Sequence, residues 1–169
     1  HDIGNKKSRI IDVGGGASTL TEHLLKSGYS NVAVLDISDK VIEYAKEKLK
    51  NQSDEVEWYV DDITKFVSPH PYEIWHDRAV FHFLTDKASR ALYVKTLKNT
   101  MHSGGHVIIA TFAKDGPTKC SGLDIVQYDV ASIERELGDG FLLVESLFET
   151  HETPSGNKQH FIYFLFQCR

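Results

Sequence analysis

Asp12-Val13-Gly14-Gly15-Gly16-Ala17-Ser18 is the stretch on which the fold of this chain turns. Before it, residues 9–13 form a short apolar, strand-like run; after it, Leu20, Leu24 and Leu25 recur at helical spacing until Gly28. Strand, glycine turn and helix therefore follow one another, and glycines at such a corner let a ligand come close to the backbone. Asp36 lies 22 residues after Gly14, at the end of a second apolar run over residues 31–35. An acidic residue about 20 residues beyond a glycine turn is placed to accept hydrogen bonds from ribose hydroxyls. The pattern points to a nucleoside ligand.

Outward from that corner the same alternation continues. Ser38 caps a helix whose inner face is Val41, Ile42, Ala45 and Leu49. Residues 56–60 read as a third strand ending at Asp61-Asp62, and residues 72–76 as a fourth after Pro69 and Pro71. A helix is predicted over residues 86–101. Gly104-Gly105 then lead into residues 106–112, whose Val107-Ile108-Ile109-Ala110 core suits a central parallel strand covered on both faces. A loop follows over residues 114–122, and Val130, Ile133 and Leu137 mark a last helix ending at Gly138. Residues 141–148 and 160–167, separated by the turn-rich Thr153-Pro154-Ser155-Gly156-Asn157, read as an antiparallel hairpin. Alternating strands and helices closed by a hairpin predict one α/β domain, a three-layer α/β/α sandwich whose parallel sheet carries an antiparallel strand at one end.

Composition narrows the function. The chain has 169 residues, 19 basic against 24 acidic, for a net charge of −5, and 41% of it is hydrophobic. That is enough for one well-buried core. Basic residues are dispersed among acidic ones, without the stripe that a nucleic-acid backbone requires, which argues against DNA or RNA as partner. No apolar run approaches the roughly 18 residues of a membrane span, and the polar start, residues 1–9, has no signal-peptide core. Cys120 and Cys168 are too few for a disulfide framework and fit no zinc spacing, so both are expected reduced in a cytoplasmic compartment, with no metal bound. Nothing in the pattern specifies an oligomeric state.

The glycine turn also discriminates among nucleosides. A dinucleotide fingerprint would need a third glycine where Thr19 stands, and Asp12 would repel a pyrophosphate. An acidic side chain there suits an ammonium or sulfonium group, which favours S-adenosylmethionine. Here the sequence resembles the class I S-adenosylmethionine-dependent methyltransferases, whose first motif is acidic-x-Gly-x-Gly-x-Gly. Asp12, Gly14 and Gly16 match it, and Ser18 replaces the last glycine. The resemblance spans nearly the whole chain and implies a seven-stranded, mostly parallel Rossmann-like sheet. It implies that Asp12, Gly14, Gly15, Gly16, Ser18, Asp36 and Ile37 bind the cofactor and its product S-adenosylhomocysteine. Asp61 or Asp62, with Ile63, falls at the adenine, and His76 at the methionyl end.

Ligands of such folds lie beyond the carboxyl ends of the strands, so the end of strand four should face the methyl acceptor. That end, Trp75-His76-Asp77-Arg78-Ala79-Val80-Phe81-His82-Phe83-Leu84, is the densest titratable and aromatic cluster in the chain. His76, Asp77, Arg78 and His82 are the catalytic candidates, with His82 or His76 as general base because histidine titrates near neutral pH. The structural alternatives are an Asp77-Arg78 ion pair, core packing of Phe81 and Phe83, and a merely hydrogen-bonding His82. Lys114, Asp115 and Cys120 form a second candidate group, and His151 and His160 lie on the terminal hairpin. The expected function is methyl transfer to a small molecule. The alternatives are a protein lysine as acceptor, a nucleotide-dependent oxidoreductase, which Thr19 and the lack of a second nucleotide-binding half count against, and a non-catalytic cofactor-binding module.

Overall fold

In the computed structural model, described over residues 3–153, 156 and 158–169, strands β1 (Ile10–Val13) and β2 (Val32–Asp36) are buried along almost their whole length. Only strands covered on both faces sustain such apolar runs. Helices α1 (Leu20–Lys26) and α2 (Asp39–Leu49) follow them, and Ser38 Oγ caps α2 by accepting the Val41 N–H at 3.3 Å. Next come β3 (Val56–Val60), β4 (Tyr72–Arg78) and α3 (Lys87–Thr100), the last capped by Asp86, which accepts the Ser89 N–H at 2.8 Å. β5 (Met101–Phe112) leads to a small hairpin of β6 (Lys119–Cys120) and β7 (Leu123–Asp124). A reciprocal Asp129–Ser132 capping box starts α4 (Val130–Leu137), and β8 (Phe141–Glu152) and β9 (Lys158–Cys168) close the chain.

The main sheet has seven strands in the order β3-β2-β1-β4-β5-β9-β8, parallel through β5 and antiparallel at β9 and β8. Leu25, Ile42 and Leu49 of α1 and α2 pack on Val32, Val34 and Val56 on one face. Tyr93, Leu97, Ile133 and Leu137 of α3 and α4 pack on Trp75, Val107, Ile109 and Phe164 on the other. The three-layer, seven-stranded Rossmann-like sandwich is thus as expected. Strand order reverses between β1 and β4, which opens a crevice at their carboxyl ends.

The hairpin strands run longer than expected, β8 to Glu152 and β9 from Lys158, and three further differences bear on the site. β4 continues through Asp77 and Arg78, which pair with Ile109 and Ala110 of β5; the charges concealed a strand whose buried carboxylate is fully hydrogen-bonded. β5 begins at Met101, and Gly105 serves it rather than breaking it, because a Cβ there would lie 2.9 Å from the Glu73 carbonyl. The loop after β5 carries the β6-β7 hairpin. Within the expected β8-β9 turn, Pro154, Ser155 and Asn157 lie outside the described residues. Among the described residues no helix is long and apolar enough to cross a membrane.

Candidate active site

Two chambers open at the β1-β4 crevice and share Val13, Gly14 and Arg78. The larger, about 620 Å³, is lined further by Asp12, Gly15, Ser18, Thr19, His23 and His76. The smaller, about 400 Å³, is lined by Leu35, Asp36, Ile37, Asp61, Asp62, Ile63 and the Ala79–Val80 turn. Both acidic strand ends found in the sequence therefore meet in one chamber, and the glycine turn forms the ridge between the two.

Each glycine of that turn makes room for a neighbour. Gly14 has φ 70°, and a Cβ on it would stand 2.2 Å from Val80 Cγ2. A Cβ on Gly15 would stand 2.2 Å from Asp12 Oδ2, and one on Gly16 would stand 3.0 Å from Asp36 Oδ2. Asp36 accepts the Gly16 N–H at 3.2 Å and the Ser38 N–H at 3.0 Å. A carboxylate has about four acceptor positions, so Asp36 keeps capacity for ligand hydroxyls. Asp62 Oδ1 accepts the Thr64 N–H at 2.9 Å and its hydroxyl at 2.8 Å, bonds that hold its carboxyl below the usual range. Asp61, more exposed, accepts the Asp62 N–H at 2.7 Å.

Asp12 departs from its expected role as an open counter-charge. It is 2% exposed, and its Oδ1 accepts from His76 Nδ1 at 2.7 Å. The two residues are register partners on β1 and β4. Asp12 Oδ2 is buried without a hydrogen-bond partner. With Nδ1–H held by the carboxylate, the imidazole keeps Nε2 as its acceptor nitrogen.

The rest of the strand-four cluster divides by face. Asp77, expected to be catalytic, lines neither chamber and is fully buried, accepting from Val80 N–H at 2.8 Å, Phe81 N–H at 3.1 Å and Tyr93 Oη–H at 2.6 Å. Burial nonetheless pushes its pKa up to about 6. It clamps the chain leaving β4 onto α3, and the ion pair with Arg78 that stood as the structural alternative is not among those of the described residues. Arg78 reaches β9 instead, donating Nε–H to Tyr163 Oη at 2.9 Å with its guanidinium 4.9 Å from the Phe161 ring centre. His82, the other expected base, is fully buried beside Phe83 and Phe112, with both ring nitrogens unpartnered. Burial drives its pKa down to about 4, and it lines neither chamber. The expectation that it acts as a base is corrected: the 3-10 turn Phe81–Phe83, started by the Asp77 clamp, carries it into the core.

His160 pairs with Asp115 at 3.0 Å, away from both chambers, and Lys114, Cys120 and His151 line neither. His23, Phe161 and Tyr163 belong to the site or its rim and were not found in the sequence. His23 lay one helical turn beyond Thr19, whose carbonyl accepts its Nδ1–H at 2.7 Å, a spacing that marks it in retrospect.

Comparison with known proteins bears on this geometry. No curated protein matches the chain in sequence. A methyltransferase from Methanosarcina mazei, described as S-adenosylmethionine-dependent, shares the fold with a TM-score of 0.81 at 16% identity, over 99% of this chain and 95% of that one. The N-methyltransferase NodS from Bradyrhizobium japonicum does so at 0.77 and 16%, over 95% and 85%. The glycopeptide N-methyltransferase MtfA, solved with S-adenosylhomocysteine, does so at 0.73 and 13%, over 99% and 85%. The model of the family described as methyltransferase domain matches residues 4–154. With that match over β1 to β8 and both chambers, the chain belongs to the methyltransferase domain family and is a methyltransferase with the class I, Rossmann-like fold.

Proposed function

We propose that the chain transfers a methyl group from S-adenosylmethionine to a small-molecule acceptor, with His76 as the proton-accepting base. The observation that carries this is the pairing of a nucleoside-suited chamber, bearing Asp36, with a second chamber bearing the Asp12–His76 pair. The cofactor fits the donor and acceptor set. Ribose hydroxyls and an adenine amino group are donors, and the smaller chamber offers the carboxylates of Asp36, Asp61 and Asp62. Ile37 and Ile63 give it apolar walls, and Gly15, Ser18 and Thr19 border the larger chamber, where the amino-acid end belongs. When bound, S-adenosylmethionine supplies an electrophilic methyl group carried on a sulfonium.

The protein's part is alignment and proton removal. Asp12 holds His76 Nδ1–H, which sets the ring plane and leaves Nε2 to accept the proton that a hydroxyl, amine or thiol acceptor must lose. The Asp77 clamp fixes the chain between β4 and α3 and so holds Ala79 and Val80 in the wall of the smaller chamber. A small acceptor is favoured because no segment looks dedicated to protein docking and because two of the fold relatives are described as N-methyltransferases, one of them a glycopeptide enzyme. Residues 1–169 act as one domain in this proposal, in a reducing, cytoplasmic compartment: both cysteines are free, and burial raises the Cys168 thiol pKa to about 11.

Methyl-labelled S-adenosylmethionine, incubated with the protein and either a small-metabolite pool or a protein pool, tests the proposal. Label is expected in the small-metabolite fraction; label on protein lysines would favour the alternative acceptor. His76→Asn is expected to lower turnover at least about tenfold while leaving S-adenosylhomocysteine affinity within about threefold.

A further inference from the structure

Among the described residues Arg78 is the one charged side chain that both chambers share. We infer that it anchors a carboxylate carried by the methyl acceptor, an inference that rests on the cofactor reading above. The guanidinium is held from the rim. Its Nε–H is used by Tyr163 Oη at 2.9 Å, and its plane is seated 4.9 Å from the Phe161 ring centre. Both aromatic residues come from β9, where they are register partners of Ala110 and Phe112 on β5. Among the described residues that seat leaves the two terminal nitrogens without a hydrogen-bond partner, and no ion pair includes Arg78. A fixed guanidinium fork with free terminal N–H groups matches a carboxylate in two-point geometry.

The charges of the larger chamber point the same way. Among the described residues Asp12 is the one carboxylate lining the larger chamber and its hydrogen bond goes to His76, so no carboxylate pairs directly with Arg78 there. Arg78 is exposed at the mouth where the chambers meet, and a held cation there favours an anion beside it. The sulfur of S-adenosylmethionine joins its nucleoside and amino-acid halves, so an acceptor must arrive where the two chambers meet, which is where Arg78 stands. A sulfonium and a guanidinium repel each other there, and an anionic acceptor offsets both. His76 lies on the same face of β4 two residues earlier, as alternation along a strand requires. The acceptor class is therefore a small carboxylic acid that also bears a protonated nucleophile, its carboxylate on Arg78 and its nucleophile toward His76 Nε2.

Wild type and Arg78→Gln, both checked for folding by circular dichroism, are titrated first with S-adenosylhomocysteine by calorimetry. The product-bound proteins are then titrated with glycolate and benzoate, and with glycolamide and benzamide as neutral controls. Nuclear magnetic resonance reads the titration at Arg78 Nε–H in wild type and at the Gly14 and His76 amides in both proteins. S-adenosylhomocysteine affinity is expected to agree within about threefold between the two proteins, about 0.7 kcal/mol. At least one acid is expected to shift the wild-type signals saturably, its amide not, and the substitution to weaken that acid about tenfold or more. Loss of S-adenosylhomocysteine affinity by about tenfold or more in Arg78→Gln would assign the guanidinium to the cofactor's own carboxylate and overturn the proposal. Absence of any saturable shift by the acids in a complex that does bind S-adenosylhomocysteine would also overturn it. Failure of the wild type to bind S-adenosylhomocysteine at all would bring down the cofactor reading, and the proposal with it.

Discussion

His76 and Asp77 are neighbours in the chain, yet each belongs to a carboxylate pair on a different face of the sheet. Toward α1, Asp12 takes the imidazole of His76, and the pair opens on the larger chamber. Toward α3, Asp77 takes the hydroxyl of Tyr93 and two backbone N–H groups, and the whole group is sealed. Both carboxylates are almost inaccessible, so burial alone does not separate site from scaffold. Satisfaction does: Asp77 has three donors, whereas Asp12 has one and an unpartnered oxygen. A completed buried network rigidifies the fold, and an incomplete one beside a cavity keeps its chemistry available.

Removing the sealed pair should have the largest effect. Asp77→Ala leaves the Tyr93 hydroxyl and two amides without their acceptor, and a stability loss of about 3–5 kcal/mol is expected in urea unfolding. His76→Asn should cost less, about 1–3 kcal/mol, because Asp12 loses one donor where Asp77→Ala strands three; a loss as large as that of Asp77→Ala would erase the contrast between the two faces.

His82 sharpens the core side of the comparison through pH. Its folded pKa is depressed to about 4 from an ordinary 6.5 by burial, so the fold refuses a proton that the unfolded chain accepts. That contribution is complete above pH 6.5 and is lost as pH falls toward 4, by up to about 3 kcal/mol. Asp77 opposes it: its folded pKa is raised to about 6, so acid between that value and its ordinary 3.8 favours the folded state. The difference in stability between wild type and His82→Phe isolates the histidine, and it should shift against wild type from pH 6.5 to 4. A difference that is flat with pH would place His82 in contact with water or a partner.

Gly15→Ala perturbs the open pair most locally, because the new methyl group would meet Asp12 Oδ2 at 2.2 Å. A loss of about 1–3 kcal/mol is expected, with a displacement of the His76 ring signals at fixed pH in nuclear magnetic resonance. Unchanged ring signals would mean that Asp12 does not orient the imidazole.

The half of the site proposed for the nucleoside was legible in the sequence because its parts are local. A glycine turn follows a strand directly, and Asp36 and Asp61-Asp62 end runs whose hydropathy marks them as strands. The acceptor half was not. His76, Asp77, Arg78 and His82 read as one cluster, but β4 ran two residues further than hydropathy suggested and alternation sent Asp77 to the far face. Arg78 found its seat on Tyr163, 85 residues away, through an antiparallel register that no local pattern encodes.

The most direct test of the central claim is a calorimetric titration of S-adenosylhomocysteine into wild type and Asp36→Ala, with folding of both confirmed. Saturable one-to-one binding by wild type, weakened at least about tenfold by the substitution, is the predicted result. No saturable binding by wild type, or affinities that agree within about threefold, would contradict the assignment of Asp36 and its chamber to the nucleoside.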